Sequence, residues 1–270
     1  MNICFYTKTN PSAANLLNIS YLMNRFPEHN YSFVRIVSAR WTPPTFKEKV
    51  KNWYVNKRFD DGRFDYERDQ QAIKDNLRTH TTPVNFKDFR CEDVMKVNDA
   101  ASEQAMMNIQ PDIIIQAGAG IVKENIFTKA RIATINVHHG IAPEIRGIES
   151  TFWCLFYGLN DMIGVTCHFI DEKLDTGAVI CKQALQTTTG TFVDLQTANF
   201  LMGREVLGKS VAILTKENFR IENRGQVKSY YFGMPDNFLY YGLKKRNFKP
   251  LMKISQRAFT MKDLNEVVVP

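Results

Sequence analysis

Three residues could do chemistry together: Asn136, His138 and Asp175. Asn136 and His138 stand two apart where the apolar run Ile132 to Val137 gives way to polar residues, in Ala133-Thr-Ile-Asn-Val-His-His-Gly-Ile-Ala-Pro-Glu-Ile-Arg-Gly147. Asp175 lies in Leu174-Asp-Thr-Gly177, after a second apolar run from Met162 to Ile170. An amide, an imidazole and a carboxylate suit the attack of an amine on a carbonyl. The amide and imidazole can hold a developing oxyanion, and the carboxylate can orient the imidazole and help move the proton. Singly, each residue type has ordinary uses in turns and packing. Together they follow apolar strands of one expected sheet, at the end where open α/β sheets bind ligands.

The elements that must position them read as an α/β chain. Asn2 to Thr7 reads as a strand, and Ser12 caps a helix whose Ala13, Leu16, Leu17, Leu22 and Met23 recur at helical spacing. Tyr31 to Val37 is a second strand, giving a βαβ unit and a parallel sheet. The turn after the first strand has no glycine, which excludes a dinucleotide fingerprint. Residues 38–80 form a basic, aromatic insertion with helices at Thr45 to Val55 and Phe64 to Leu77. It is too long for an ordinary connection, so a flap over a site is expected. A third strand is expected at Pro83 to Phe89 and a helix at Asp93 to Ile109. The apolar run from Pro111 runs into Gly118 and Gly120, where backbone can approach a flat ligand. Met162 to Ile170 and Ala178 to Gln183 read as two strands, His168 as packed within the first, and Phe192 to Leu214 as a long helix. Beyond about Asn218 come two short strands around Gly225, a helical turn at Asp236 to Leu243 and a tail at Met261 to Val268. The expected division is 1–217, with the insertion, and a small β-containing subdomain at 218–270.

Composition narrows the classes. The 270 residues are 44% hydrophobic and 23% charged, ordinary for a globular chain. The start lacks a basic, apolar leader, and no apolar run approaches the roughly 20 residues of a spanning helix, so a cytoplasmic protein without a membrane span is expected. Five scattered cysteines without a CxxC pair read as buried thiols. The formal net charge of +7 suits an anionic partner, concentrated at Arg40 to Arg58 and Lys244 to Arg257.

Asn136-Val-His138 with Pro143 five residues on, Arg146-Gly147, Gly164-Val-Thr166 and Leu174-Asp-Thr-Gly177 resemble the signature of the folate-dependent formyltransferases. The likeness is clear from about Pro111 to Gln183 and weaker over the first strands and the long helix. It implies a Rossmann-like, mostly parallel formyltransferase domain that passes the formyl group of 10-formyltetrahydrofolate to an amine, with no metal. Asn136, His138 and Asp175 match the family's catalytic asparagine, histidine and aspartate. The resemblance implies a protonated His138 whose pKa Asp175 raises. It also implies a pterin lying against Gly118, Ala119, Gly120, Ile121 and Val122 and against the loop with His139, Gly140, Ile141, Arg146 and Gly147. His139-Gly140-Ile141-Ala142 departs from the small residue or proline followed by Ser-Leu-Leu of many members, so pterin or acceptor fit is expected to differ.

Within the family, the sugar-nucleotide N-formyltransferases are the most similar by length. The tRNA enzymes resemble a catalytic domain with a longer basic barrel, and the glycinamide ribonucleotide enzymes lack the insertion and the C-terminal piece. The expected acceptor is a nucleotide-linked amino-dideoxy sugar of surface polysaccharide (O-antigen) synthesis. Tyr230, Tyr231 and Phe232 would stack on the base, and Lys244 and Lys245 would meet the diphosphate. A homodimer is compatible with this expectation. The alternatives are another amine acceptor (glycinamide ribonucleotide, methionyl-tRNA, an amino acid or a peptide) or a non-catalytic nucleic-acid-binding protein. No recognition-helix or RNP-like pattern favours the last, so no nucleic acid is expected.

Overall fold

The chain is described by a computed structural model over residues 1–37, 45–47, 50, 60–186, 190–216, 219, 229–235 and 237–245. The expected helix at Thr45 to Val55, the basic segments, the strands around Gly225 and the tail at Met261 to Val268 lie wholly or mostly outside the described residues.

The core is a seven-stranded sheet in the order β3-β2-β1-β4-β5-β7-β8. Its strands are β1 (Asn2–Lys8), β2 (Asn30–Ile36), β3 (Arg90–Val94), β4 (Ile113–Ala117), β5 (Ala133–His138), β7 (Gly164–Phe169) and β8 (Val179–Ala184). β1 to β5 are parallel, and β7 and β8 add an antiparallel hairpin. The mostly parallel α/β expectation is met. Ile3 to Tyr6 and Ile113 to Ile115 are buried on both faces, which is why those strands read as unbroken apolar runs.

Helices α1 (Ala13–Arg25) and α6 (Phe192–Leu214) cover one face of the sheet. There Phe5, Ile19, Leu22, Ile135, Val206 and Leu207 form one cluster. Both helices start on a side-chain cap, of which Ser12 was expected. The Ser12 side chain accepts from Asn15 N, and Thr191 with Asp194 makes a capping box. Helices α3 (Ala100–Ile109) and α4 (Glu124–Phe127) cover the other face, over Tyr6, Ile114, Met106 and Ile126.

The third strand differs from expectation. Pro83 to Phe89 holds a 3-10 turn at Phe86–Asp88, capped by Asn85, and the strand is the polar Arg90–Val94. Phe86 and Phe89 instead pack edge-on against Phe33. β3 is an edge strand paired only with β2, so it needs no apolar run of its own. The next helix begins later than expected, at Ala100, because Asp99 caps it by accepting from Ser102 N.

A third cluster lies beside the sheet. Helix α2 (Asp60–Arg78), the described end of the insertion, meets α5 (Ser150–Tyr157) and α7 (Asn237–Lys245) there. Ile73, Leu77, Phe152, Tyr240 and Leu243 are buried together, and Tyr240 Oη donates to Asp69 Oδ2 at 2.5 Å. β6 (Ile145–Gly147) and β9 (Tyr230–Phe232) pair in parallel as a separate two-stranded sheet. The insertion and the described C-terminal residues thus pack on each other, and β9 joins the segment that follows His138. Among the described residues no helix is long and apolar enough to cross a membrane.

Candidate active site

The register of β5 against β7 builds the site. Asn136 pairs with His168 and His138 with Thr166, so alternation puts all four side chains on one face. Asn136 Nδ2 donates to His168 Nε2 at 3.4 Å, and His168 Nδ1 donates to Phe169 O at 2.7 Å. His138 Nε2 donates to Ile145 O at 2.8 Å. Asn136 and His138 lie within β5 rather than beyond it, and β7 runs antiparallel, so Asp175 does not arrive from a neighbouring parallel strand end. The β7–β8 connection carries it back instead. The turn is tight: a Cβ at Gly177 would lie 1.7 Å from Phe169 O, and Asp175 adopts a left-handed φ of 53°. Asp175 Oδ2 accepts from Gly147 N at 3.0 Å. Its two oxygens lie 3.6 Å from His138 Nδ1 and 3.6 Å from His168 Nε2.

Electrostatics revise one expectation. Burial pushes the His138 imidazole below its ordinary value, outweighing the Asp175 carboxylate, with His168 and Arg146 also lowering it. The ring is therefore neutral near pH 7, with its proton on Nε2, rather than protonated. Its Nδ1 lone pair faces a carboxylate. Burial works to raise the Asp175 pKa, but the nearby His168 and His138 rings and the Gly147 N–H bring it below the usual carboxylate range. The pair is set to take up a proton at Nδ1 and hold it beside a negative charge.

The other expected residues divide. Gly118 and Gly120 have φ of 87° and 118°, conformations that glycine adopts without strain. Gln116 ties their loop to β4 by donating from Nε2 to Gly120 O, and Asn98 Nδ2 donates to Ile121 O. Ile121 is 71% exposed, but Ala119 and Val122 are buried in the core, so only their backbone could meet a ligand. A Cβ at Gly140 would fall 2.5 Å from His138 Nε2, so glycine here makes room for the His138 ring. Ile141 is fully buried, and Arg146 spans Ser229 Oγ and Leu174 O at 2.6 and 3.3 Å. Phe232 is buried and stacks on Trp153, and Tyr230 packs against the same cluster. Tyr231, 59% exposed, pairs in register with Arg146 and is the member of the trio left open. Lys245 is exposed, and the Lys244 side chain lies outside the described residues.

His139 does not face the other histidines. Its ring packs edge-on against Phe200 and over Gly203 of α6, and its Nδ1 has no hydrogen-bond partner among the described residues. Burial pushes its pKa down to about 3. The folded chain then binds this proton more weakly than the unfolded chain, so stability from this site is complete above about pH 6.5. It is lost progressively as pH falls from there towards about 3. A His139→Leu variant is expected to show a flatter loss of melting temperature between those pH values than wild type. Parallel curves would refute this.

His168 is packed, as expected, yet it belongs to the site. Its alternation with Thr166 is visible in the sequence, but its meeting with Asn136 depends on a register no local pattern encodes.

Comparison with known proteins agrees with this architecture. The formyl transferase family model matches residues 54–198, more than half of the chain. The methionyl-tRNA formyltransferase of Chlorobium limicola is 29% identical over 164 residues, 59% of this chain and 49% of that protein. That of Pelotomaculum thermopropionicum is 31% identical over 105 residues, 37% of this chain and 33% of that protein. These matches span half or less of the curated relatives' length. Among solved structures, a sugar N-formyltransferase from a Shewanella species aligns with a TM-score of 0.53 at 13% identity, covering 87% of this chain and 77% of that one. Glycinamide ribonucleotide transformylase 1 from Symbiobacterium toebii aligns with a TM-score of 0.53 at 14% identity, covering 82% and 92%. Those two likenesses concern the fold, whereas the family match runs through the segment that carries Asn136, His138 and Asp175: the chain belongs to the formyl transferase family.

Proposed function

We propose that the protein moves the formyl group of 10-formyltetrahydrofolate to the amine of a nucleotide-linked amino-dideoxy sugar, in surface polysaccharide synthesis. The observation that carries the reaction is His138 with Nδ1 turned to Asp175, beside Asn136 on the same sheet face. An attacking amine must lose a proton, and His138 Nδ1 with Asp175 can receive it. The Asn136 amide can donate to an oxygen that gains negative charge. The folate supplies an activated one-carbon group when bound. Gly118, Gly120 and the exposed Ile121 suit a flat ring, with side chains absent at two positions and an apolar one beside them. No metal has a role in this reading, and the reaction belongs in the cytoplasm, where folates and sugar nucleotides occur.

The acceptor side is assigned to the elements outside the sheet: α2, β9, α7 and the residues from about 218 onward. Tyr231 open beside Arg146 suits a base or sugar next to a phosphate. The Shewanella protein of similar fold is a sugar N-formyltransferase, which supports an amino-sugar acceptor, whereas the relatives by sequence are methionyl-tRNA formyltransferases. Methionyl-tRNA is therefore the second reading. A homodimer is proposed as the assembly.

A folate-release assay separates the acceptors. Tetrahydrofolate should form with one nucleotide-linked amino sugar and not with methionyl-tRNA or glycinamide ribonucleotide, and the reverse would overturn the sugar assignment. In the same assay Tyr231→Ala should raise the acceptor KM about tenfold, as expected for one lost stacking contact, and leave the folate KM within about twofold. Equal changes in both would remove Tyr231 from the acceptor site.

A further inference from the structure

Behind the loop that links His138 to Gly147 lies a buried ion pair that the reaction as described does not use. Lys182 Nζ, on β8, lies 3.4 Å from Glu144 Oε1, and the two side chains are 0% and 9% exposed. Burying two charges costs several kcal/mol per ion and is repaid only by good geometry. This geometry is not optimal for stability alone, because Glu144 Oε2 has no hydrogen-bond partner among the described residues. Such a pair is better explained by what it holds in place.

What it holds is the loop from Gly140 to Ile145. Lys182 is the cross-strand partner of Thr166 in the β7–β8 hairpin. Thr166 Oγ1 donates to Gly140 O at 2.8 Å and accepts from Ala142 N at 2.9 Å. One hairpin position thus fixes both ends of the loop: Thr166 at Gly140 and Ala142, and Lys182 at Glu144. Glu144 O also accepts from Tyr230 N at 2.8 Å. The next residue, Ile145, presents the carbonyl that receives His138 Nε2–H.

We propose that Lys182 and Glu144 are a positioning pair, which fixes the Ile145 carbonyl and thereby keeps the His138 proton on Nε2 and Nδ1 turned to Asp175. Neither residue touches the reacting atoms. The kinetic part rests on the formyl-transfer reading, and the spectroscopic part does not.

The test uses the full chain labelled with 15N-histidine, with the His138 signals assigned by their loss in His138→Asn. His138 is faced by Asp175, His168 and Arg146, and these stay unchanged in every other variant. Wild type should show a neutral His138 with its proton on Nε2. In Lys182→Met and Glu144→Gln the His138 nitrogens should shift towards a tautomer average. Turnover should fall about tenfold or more, as a small displacement of a catalytic group does, with the folate KM within about twofold. Lys182→Arg should restore both. If the single variants fail to fold, Lys182→Met combined with Glu144→Leu removes both charges and keeps the volume filled. A folded variant lacking the pair, with wild-type His138 signals and turnover, would overturn the proposal. Should wild type itself transfer no formyl group to any acceptor, the formyl-transfer reading fails, and the His138 signals still decide the positioning role.

Discussion

Asp175→Asn is expected to lower turnover about 100- to 10,000-fold, the range for a lost proton-transfer partner, with folate binding retained. The amide oxygen of asparagine can still accept from Gly147 N, so the loop keeps its anchor. The negative charge 3.6 Å from His138 Nδ1 is gone, and burial then makes protonation of the ring still less favourable. His138→Ala should lose at least about a hundredfold for the complementary reason: the carboxylate remains without its proton acceptor. Single-turnover rates with saturating folate and acceptor measure both, and near-wild-type rates in either variant would refute the assignment. The pH dependence has a defined sign. Asp175 titrates below its ordinary value, so its contribution to stability is present above about pH 4. That contribution is lost as pH falls through the lower folded value. In Asp175→Asn this part of the acid sensitivity should disappear.

Gly147→Ala should be less damaging to activity and more damaging to stability. Gly147 has φ of 99°, and a Cβ there would lie 1.9 Å from Phe232 O. The added methyl both strains the backbone and drives β6 from β9, for a loss of about 2–4 kcal/mol. Because Gly147 N is also the donor that fixes Asp175, turnover should fall about tenfold or more even at temperatures where the variant is folded. Denaturation midpoints with matched kinetics test the pair of effects. A variant with the wild-type midpoint would show that β6 and β9 separate without cost.

The central strands were legible because burial on both faces leaves an apolar run as its trace, as in Ile113 to Ile115. The Ser12 cap was legible too, since it acts through its own side chain on a neighbour three residues away. β3 was misplaced because an edge strand has no such trace and the aromatic residues before it pack as a turn. At the site, residue types and spacing were enough to single out Asn136, His138 and Asp175. Their arrangement was not. The antiparallel turn of β7, the folded-back connection to Asp175 and the partnership of Asn136 with His168 are set by pairings 28 or more residues apart. The protonation of His138 was misjudged because the sequence displays a carboxylate partner but not the burial that outweighs it. Tyr230, Tyr231 and Phe232 looked alike as a trio, and only strand alternation against the α5 aromatics separates the open member from the packed ones.

The parallel pairing of β6 with β9 sets an order on synthesis. When the ribosome has synthesised the chain only through α6, all seven strands of the main sheet and the residues of the Asn136–His138–Asp175 group are already present. Phe232, whose carbonyl receives Ile148 N, has not yet been made, and neither has Tyr230, which donates to Glu144 O. The segment that orients both His138 and Asp175 is completed from its far side by residues translated about eighty positions later. The arrangement of His138 and Asp175 is thus completed late in the life of each molecule, when β9 docks rather than when the main sheet forms.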